Sequence, residues 1–489
     1  MQEENYFPSL EDYPLTPLTL ADKNIFEKAL DSLSEPLSDH SFANIYLWKD
    51  ASHLTWSKIH NHLCVFTNGT DLTLFLPPLP ISEATSGEFK QCMDVCFRIM
   101  DNYHIPNCID YSKGKIRYAS EEMIRQIISQ EGGDFGDKFL IEKMSGDYIY
   151  DKKDMVNLVG GKYKKKRQSK QKFMRLYPNH REEALNDNHI TDCLKLLDIW
   201  QEYADVNKKT QVTEDKEACQ TSYLRSMEKH ACQQALINHS ILGLRGMVVY
   251  VGGVLTGFTL GEKIGESQAS ILFEKTHPDY DGCPQFIYSE FCRLFWDDCK
   301  EINAGDDWSI PTLRLTKESY HPIRRLNKYV LERKSEGIII RKAHPDDLDR
   351  LVEIEKLCFN SDIGLTREKI YRLIINPNVV NLVACYDGRV IGSATSFSRR
   401  SKNNLSGRIY NLAVDPDYRS KGIGRKLLNF LIRRFELLRY SRIYLEVDEF
   451  NDKAIQIYHS IGFKEYRKLH DYYGKGKNGK SMCLEIKRN

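Results

Sequence analysis

Three times along the chain, two apolar runs flank a short turn that favours a tight β-hairpin. Leu63-Cys64-Val65-Phe66 and Leu72–Leu76 flank Asn68-Gly69, Met247–Val251 and Val254–Leu260 flank Gly252-Gly253, and Leu382–Tyr386 and Val390–Phe397 flank Asp387-Gly388. Such turns need positive φ, which Gly, Asn and Asp adopt at little cost, and their twist matches that of paired strands. Helical periodicity borders each hairpin. Ile25, Phe26, Leu30 and Leu33 recur within Asp22–Leu33 before the first, and Phe89–Met100 follows it; Ile190–Tyr203 and Gln285–Trp296 border the second; Asp346–Leu357 precedes the third. The second and third hairpins lead into further strands, at Ile271-Leu272-Phe273 and near Asn411, before the next helix. The recurrence predicts an α/β chain of three similar units, each a mixed, mostly antiparallel sheet flanked by helices.

Length agrees, because 489 residues exceed one core and suggest roughly three domains of about 150 residues each. With 70 Lys+Arg against 68 Asp+Glu, charge makes no general case for nucleic acid or membrane partners. The 13 cysteines form no CxxC pair, which fits reduced thiols and a cytoplasmic protein better than a disulfide framework, and no metal site is expected. The start Met1–Leu10 is acidic and aromatic, unlike a signal peptide. The most apolar run, Ile241–Gly261, contains Arg245 and the Gly252-Gly253 turn, so it reads as a hairpin, and no transmembrane segment is expected.

Asn411–Phe435 is the one stretch whose residue order implies a ligand. Leu412, Ala413 and Val414 form a short strand, Asp415-Pro416-Asp417 a turn, and Arg419-Ser420-Lys421-Gly422-Ile423-Gly424 a glycine loop opening into a helix. Gly422 and Gly424 let a phosphate approach the main chain, and the helix start directs unpaired N–H groups and its positive dipole end at the same point. Arg419, Lys421 and Arg425 add cations. The pattern is neither GxxxxGK[ST] nor GxGxxG. RxxGxG after an L-A-V strand resembles the pyrophosphate loop of the GNAT acetyltransferase superfamily. That resemblance implies acetyl-CoA as co-substrate, its pyrophosphate on Arg419–Gly424 and its pantetheine arm along Leu412–Val414. The three units are then GNAT-like, and only the third carries the loop: the second has Glu274-Lys275-Thr276-His277-Pro278-Asp279-Tyr280-Asp281-Gly282 at the matching place, and the first a proline run.

Ser441–Phe450 alternates, so Glu446 falls on the face opposite Ile443, Leu445 and Val447 and is a candidate base. Asn451 suits a helix N-cap, Asp452–Ile461 the helix, and Gly462 its end. Leu445-Glu446-Val447, Asn451, Ala454-Ile455, Tyr458, Gly462-Phe463 and Asp471-Tyr472-Tyr473 together resemble the ribosomal-protein N-terminal alanine acetyltransferase branch of GNAT enzymes, over Ile338–Lys487. The resemblance implies Glu446 as proton acceptor, Tyr458 as proton donor and Asn451 as a CoA ligand. The ordinary alternatives are a polar strand face for Glu446 and packing for Tyr458. The acceptor stays open among a protein N-terminus, a lysine and a small amine.

Upstream, Tyr148-Ile149-Tyr150, Gly161–Arg167, Glu274-Lys275, Ser319-Tyr320-His321-Pro322 and Lys328-Tyr329 resemble the lysylphosphatidylglycerol synthase C-terminal family. Its two fused GNAT-like folds imply one region over residues 1–330, divided at about 1–150 and 175–330, followed by a polar linker at 331–337 and the acetyltransferase domain at 338–489. Members of that family transfer aminoacyl groups from tRNA. This leaves two further readings for the first region: an aminoacyl transferase, or a module that binds substrate or RNA. The basic run Lys162–Lys172 could meet tRNA phosphates, although such runs are usually solvated helix starts or linkers. Asn303-Ala304-Gly305-Asp306-Asp307 lacks the Arg and Glu of the family's Asn-Arg-Glu-Glu-Asp stretch, which argues against an inherited aminoacyl transfer.

Overall fold

A computed structural model describes residues 13–69, 71–83, 85–107, 114–131, 138–209, 216–334, 337–359, 364–401 and 404–486. Met1–Leu10, Ser335-Glu336 of the expected linker and residues 487–489 lie outside the described residues. The chain divides into two compact units, one holding Tyr13–Asp94 and Lys115–Leu331, the other Val95–Gly114 and Glu332–Asn489.

The first unit contains two sheets. One is built from β1 (Thr16–Pro17), β2 (Leu54–Ile59), β3 (His62–Asn68), β4 (Leu72–Leu74), β5 (Leu79–Pro80), β6 (Lys115–Ala119) and β7 (Phe139–Lys143). The other takes β8 (Asp147–Asp151), β9 (Arg181–Ala184), β10 (Arg245–Val251), β11 (Val254–Ile264), β12 (Gln268–Thr276), β13 (Glu301–Asn303) and β14 (Arg324–Leu326). The next strand, β15 (Tyr329–Arg333), returns to the earlier sheet, between β6 and β7, while the second sheet runs β14-β8-β13-β12-β11-β10-β9. Leu331 is fully buried in β15, so strand structure extends into the stretch read as a linker from Leu331 onward. Within that stretch Leu331 is followed by Glu332-Arg333-Lys334, and one apolar residue ahead of three charged ones is too weak a period-2 signal to reveal a strand.

The third sheet lies in the other unit, in the order β16-β17-β18-β19-β20-β22-β21. Its strands are β16 (Ile338–Lys342), β17 (Val379–Tyr386), β18 (Arg389–Ser401), β19 (Asn404–Val414), β20 (Arg442–Asp448), β21 (Lys464–Leu469) and β22 (Gly479–Glu485). Three mixed sheets flanked by helices are therefore present, as the recurring hairpins predict. The Gly252-Gly253 turn has φ of 59° and 85° and the Asp387-Gly388 turn 48° and 74°, the paired left-handed conformation such hairpins require. The β2–β3 hairpin turns at His60-Asn61 with φ of 45° and 38°, and a turn without glycine gave no warning in the sequence.

The helices that matter below are α1 (Lys23–Leu30), α2 (Ser86–Asn107), α3 (Lys164–Leu176), α4 (Ile190–Lys209), α5 (Cys283–Phe295), α6 (Leu348–Cys358), α7 (Ile423–Leu437) and α8 (Asp452–Ile461). α7 buries Ile423, Leu427, Leu428, Phe430, Leu431, Ile432 and Phe435. They form one core with the inward residues of β20, Ile443, Leu445 and Val447, whose burial alternates as expected. In the same unit, Arg433 Nη2 donates to Asn102 Oδ1 at 3.0 Å and Arg434 Nε to the Pro106 carbonyl at 3.1 Å. The end of α2, distant in sequence, thus belongs to the packing of α7. The described cysteines are free thiols, and among the described residues no helix is long and apolar enough to cross a membrane.

Candidate active site

Two neighbouring strands part in the middle of the third sheet. β19 and β20 pair in parallel from Ser406↔Arg442 to Ile409↔Leu445, and there the ladder stops. On its other side β19 stays paired with β18, but the register skips Tyr410 between Ile409 and Asn411. A skipped residue is a β-bulge, which bends its strand and increases its twist. β20 continues to Asp448 paired only with β22. Residues 410–414 of β19 therefore face Glu446–Asp448 without ladder bonds between them.

The glycine loop follows directly. Asp415, buried and salt-bridged to Arg350, accepts from the Asp417 amide at 3.0 Å and starts a 3-10 turn over Pro416–Tyr418. Ser420 at φ 62° and Gly422 at φ 77° then bend the chain into α7, with Gly422 as N-cap. Space around Gly422 is open, and a Cβ at Gly424 would come 3.8 Å from Val414 and 4.0 Å from Leu412, so the first turn of α7 lies on the parted strand. Arg419 Nε donates to the Val414 carbonyl at 3.2 Å, Lys421 Nζ sits 4.8 Å over the Tyr418 ring, and Arg425 Nη2 bonds Ser460 of α8 at 2.8 Å. Ile423 is buried while Arg419, Ser420, Lys421 and Gly422 are exposed. Open backbone, a helix start and three cations make a cradle that fits a pyrophosphate.

Glu446 and Tyr458 approach the parted strands from two elements. The Glu446 carboxylate accepts from Arg408 Nε at 2.9 Å, and Arg408 Nη2 reaches the Tyr472 hydroxyl at 2.9 Å. Tyr458 lies 8% exposed in the core under α8, and no hydrogen bond to its hydroxyl occurs among the described residues. Burial pushes this phenol up to about 12, so it keeps its proton at neutral pH. Tyr473 is likewise held above its usual range, first by burial and then by the fields of Tyr472, Glu446, Asp448 and Tyr458. The fields of Glu446 and Tyr458 thus both reach Tyr473. Asn451 caps α8, its Oδ1 accepting from the Ala454 amide at 3.2 Å, which leaves its side-chain NH2 for another partner. Gly462 ends that helix at φ 108°.

Sequence reasoning missed Arg408, a cation on the face of β19 that meets Glu446 only across the parallel ladder. It also missed Glu355 of α6, buried in spite of its charge. Its carboxylate accepts from Asn411 Nδ2 at 3.0 Å and from the Leu365 amide at 2.9 Å, and burial raises its pKa. This carboxylate ties the parting point of β19 to the segment after α6. Only the Glu among apolar neighbours of an amphipathic helix hinted at it.

The basic run upstream is mostly engaged within its own unit. Lys170 pairs with Glu290 at 2.7 Å, Lys172 with Asp281 at 2.6 Å, Lys162 with Asp154 at 3.2 Å, and Arg167 Nη1 holds the Gly160 carbonyl at 3.2 Å. The run is the first part of α3 and the turn before it, in keeping with the helix-start reading.

Residues 31–332 match the family model described as phosphatidylglycerol lysyltransferase, C-terminal, and residues 348–463 match the acetyltransferase (GNAT) family. The [ribosomal protein bS18]-alanine N-acetyltransferase of Escherichia coli (strain K12) is 43% identical over 65 residues, 13% of this chain and 44% of that protein, so the chain spans less than half of that relative's length. The N-alpha-acetyltransferase RimI of Mycobacterium tuberculosis (strain ATCC 25618 / H37Rv) is 31% identical over 143 residues, 28% of this chain and 86% of that one. A solved structure of a conserved protein of unknown function from Bacteroides thetaiotaomicron VPI-5482 superposes with a TM-score of 0.55 at 22% identity, covering 66% of this chain and all of that one, a likeness of fold. The chain belongs to the phosphatidylglycerol lysyltransferase C-terminal family and joins to it, in its last third, a domain of the GNAT acetyltransferase family.

Proposed function

We propose that the domain at 338–489 is an acetyl-CoA-dependent N-acetyltransferase of the cytoplasm, acting on a primary amine, with a protein N-terminus as the preferred acceptor. The observation that carries this reading is the coincidence of the parted β19–β20 ladder with the open glycine loop at the start of α7, Glu446 standing on β20 just past the point where the ladder ends. Arg419–Gly424 holds the pyrophosphate of the co-substrate, the freed edge at Leu412–Val414 receives the pantetheine arm, and Asn451 binds CoA through its side-chain NH2. No metal is needed for this chemistry.

The acceptor nitrogen bonds the acetyl carbon as the carbon–sulfur bond breaks. Glu446, ion-paired with Arg408 at 2.9 Å, takes the ammonium proton, and Tyr458 gives its proton to the departing thiolate. An α-amine with pKa near 8 is neutral about a tenth of the time at pH 7, a lysine amine near 10.4 less than a thousandth. The names of the relatives, which acetylate a ribosomal-protein alanine or protein α-amines, support the same choice.

Thiol release from acetyl-CoA in the presence of peptide N-termini, lysine peptides and small amines tests the reading. Turnover should be fastest with peptide α-amines. Absence of acetyl transfer to every amine, in a chain that is folded, would overturn it.

A further inference from the structure

The near balance of charge over the whole chain conceals a division within it. Residues 338–489 hold 29 Lys+Arg against 18 Asp+Glu, a net charge of +11, whereas residues 1–337 hold 41 against 50, a net charge of −9. Such an asymmetry points to an anionic partner for the basic part. Arg419, Lys421 and Arg425 at the glycine loop account for only a share of the excess. Another share stands on the third sheet itself, on the face turned away from α7.

β20 buries Ile443, Leu445 and Val447 with α7, so Arg442, Tyr444 and Glu446 look the other way. Strand pairing carries that face outward: Tyr444 lies opposite Cys483 of β22, and Cys483 opposite Lys464 of the edge strand β21. The register of β21 skips Tyr466 between Glu465 and Arg467, and the bulged Tyr466 ring meets that of Tyr444 edge to face with centroids 5.6 Å apart. Tyr466 is nevertheless 58% exposed. Lys464 and Arg467 beside it are exposed too, and neither enters an ion pair among the described residues. Their neighbours do, Arg442 with Glu485 at 2.9 Å and Lys480 with Glu465 at 2.7 Å. On the other side of β20 the row through Arg442 and Ser406 ends on Arg399 of β18, a further exposed cation.

We infer that this face of the third sheet binds a single-stranded nucleic acid. Arg399, Lys464 and Arg467 meet its phosphates, each neutralised phosphate releasing counterions, and the open side of the Tyr466 ring takes an unstacked base. Exposed rings among cations on a sheet suit splayed bases and their backbone. A duplex keeps its bases stacked inward and leaves the ring idle. An anionic membrane calls for an apolar helix face to insert beside the cations, which this pleated face does not offer, and an acidic peptide would satisfy the cations but not the rings. RNA and DNA single strands share the chemistry, so the strand used as probe separates them.

Fluorescence anisotropy on the full chain, with labelled oligouridylate and oligothymidylate of about 20 nucleotides, tests the surface. At least one strand should bind with Kd of about 100 µM or tighter at about 0.05 M salt, and saturating acetyl-CoA should leave that affinity unchanged. Tyr466→Ala should weaken binding about tenfold with the salt dependence intact. Lys464→Ser combined with Arg467→Ser should flatten the slope of log K against log salt by about 1.4. Weaker binding of both strands, equal affinity for a duplex of the same length, displacement by acetyl-CoA, or equal binding to phosphatidylglycerol vesicles or polyglutamate would overturn the inference. So would an unchanged affinity in Tyr466→Ala; should that variant fail to fold by circular dichroism, the salt slope of the double variant and the duplex comparison decide it.

Discussion

The second and third sheets make the same break and use it differently. In both, a parallel ladder ends beside a skipped residue, Leu272 or Tyr410, and a helix with a left-handed glycine N-cap follows, Gly282 at φ 83° or Gly422 at φ 77°. Around Gly422 the space is open, whereas Gly282 is pressed against Ser169 and Phe173 of α3. The loop into α7 carries Arg419 and Lys421; the shorter loop into α5 carries Asp279 and Asp281 instead. A common backbone break therefore says where a ligand can enter, and the side chains and covering helix decide which one.

The comparison is most easily broken at Tyr458. Its phenol is protonated and unpartnered where the second sheet places no such donor on a helix after the parallel strand. Tyr458→Phe should lower turnover about a hundredfold, with acetyl-CoA affinity nearly unchanged because the ring remains. Equal losses of binding and rate would make the residue structural.

A smaller but sharper effect is expected from the glycines. Gly424→Val should place branched carbons between α7 and Leu412–Val414 and weaken acetyl-CoA binding by tenfold or more, read by calorimetry, which should also count one CoA site per chain. Two sites would erase the distinction between the sheets.

Gly282→Ala and Gly422→Ala share the same φ penalty of about 1–2 kcal/mol. Only Gly282→Ala adds a backbone collision, so it should cost about 3 kcal/mol in chemical denaturation, while Gly422→Ala stays near the φ penalty alone. Equal costs would mean that α3 does not press on Gly282.

The smallest effect is in the pH profile. A phenol raised to about 12 stays protonated through the alkaline range, so kcat should rise as the acceptor amine loses its proton and show no decline up to about pH 10. A fall beginning near pH 9 would assign the donor to another group.

Much of this arrangement was legible before any coordinates. Glycine-containing turns disclosed three of the hairpins, β3–β4, β10–β11 and β17–β18, because left-handed φ restricts the residues that can serve, and the RxxGxG loop disclosed an open helix start. The Asn451 cap, the Gly462 stop and the alternation of β20 follow from local rules of the same kind. The Leu54–Ile59 strand was hidden by the turn at His60-Asn61, whose residues tolerate positive φ without advertising it.

What the sequence by itself determined about this protein was thus local: turns, caps, periodicities and the glycine loop at a helix start, each a matter of a few consecutive residues. Only the tertiary structure decided that Arg408 pairs with Glu446, that the end of α2 packs against α7, that β15 returns to an earlier sheet, and that α3 covers one glycine N-cap and leaves the other open. Those outcomes depend on which distant surfaces exclude water together. Hydrophobic burial is non-directional and roughly proportional to area, so no short stretch of sequence carries the address of its partner.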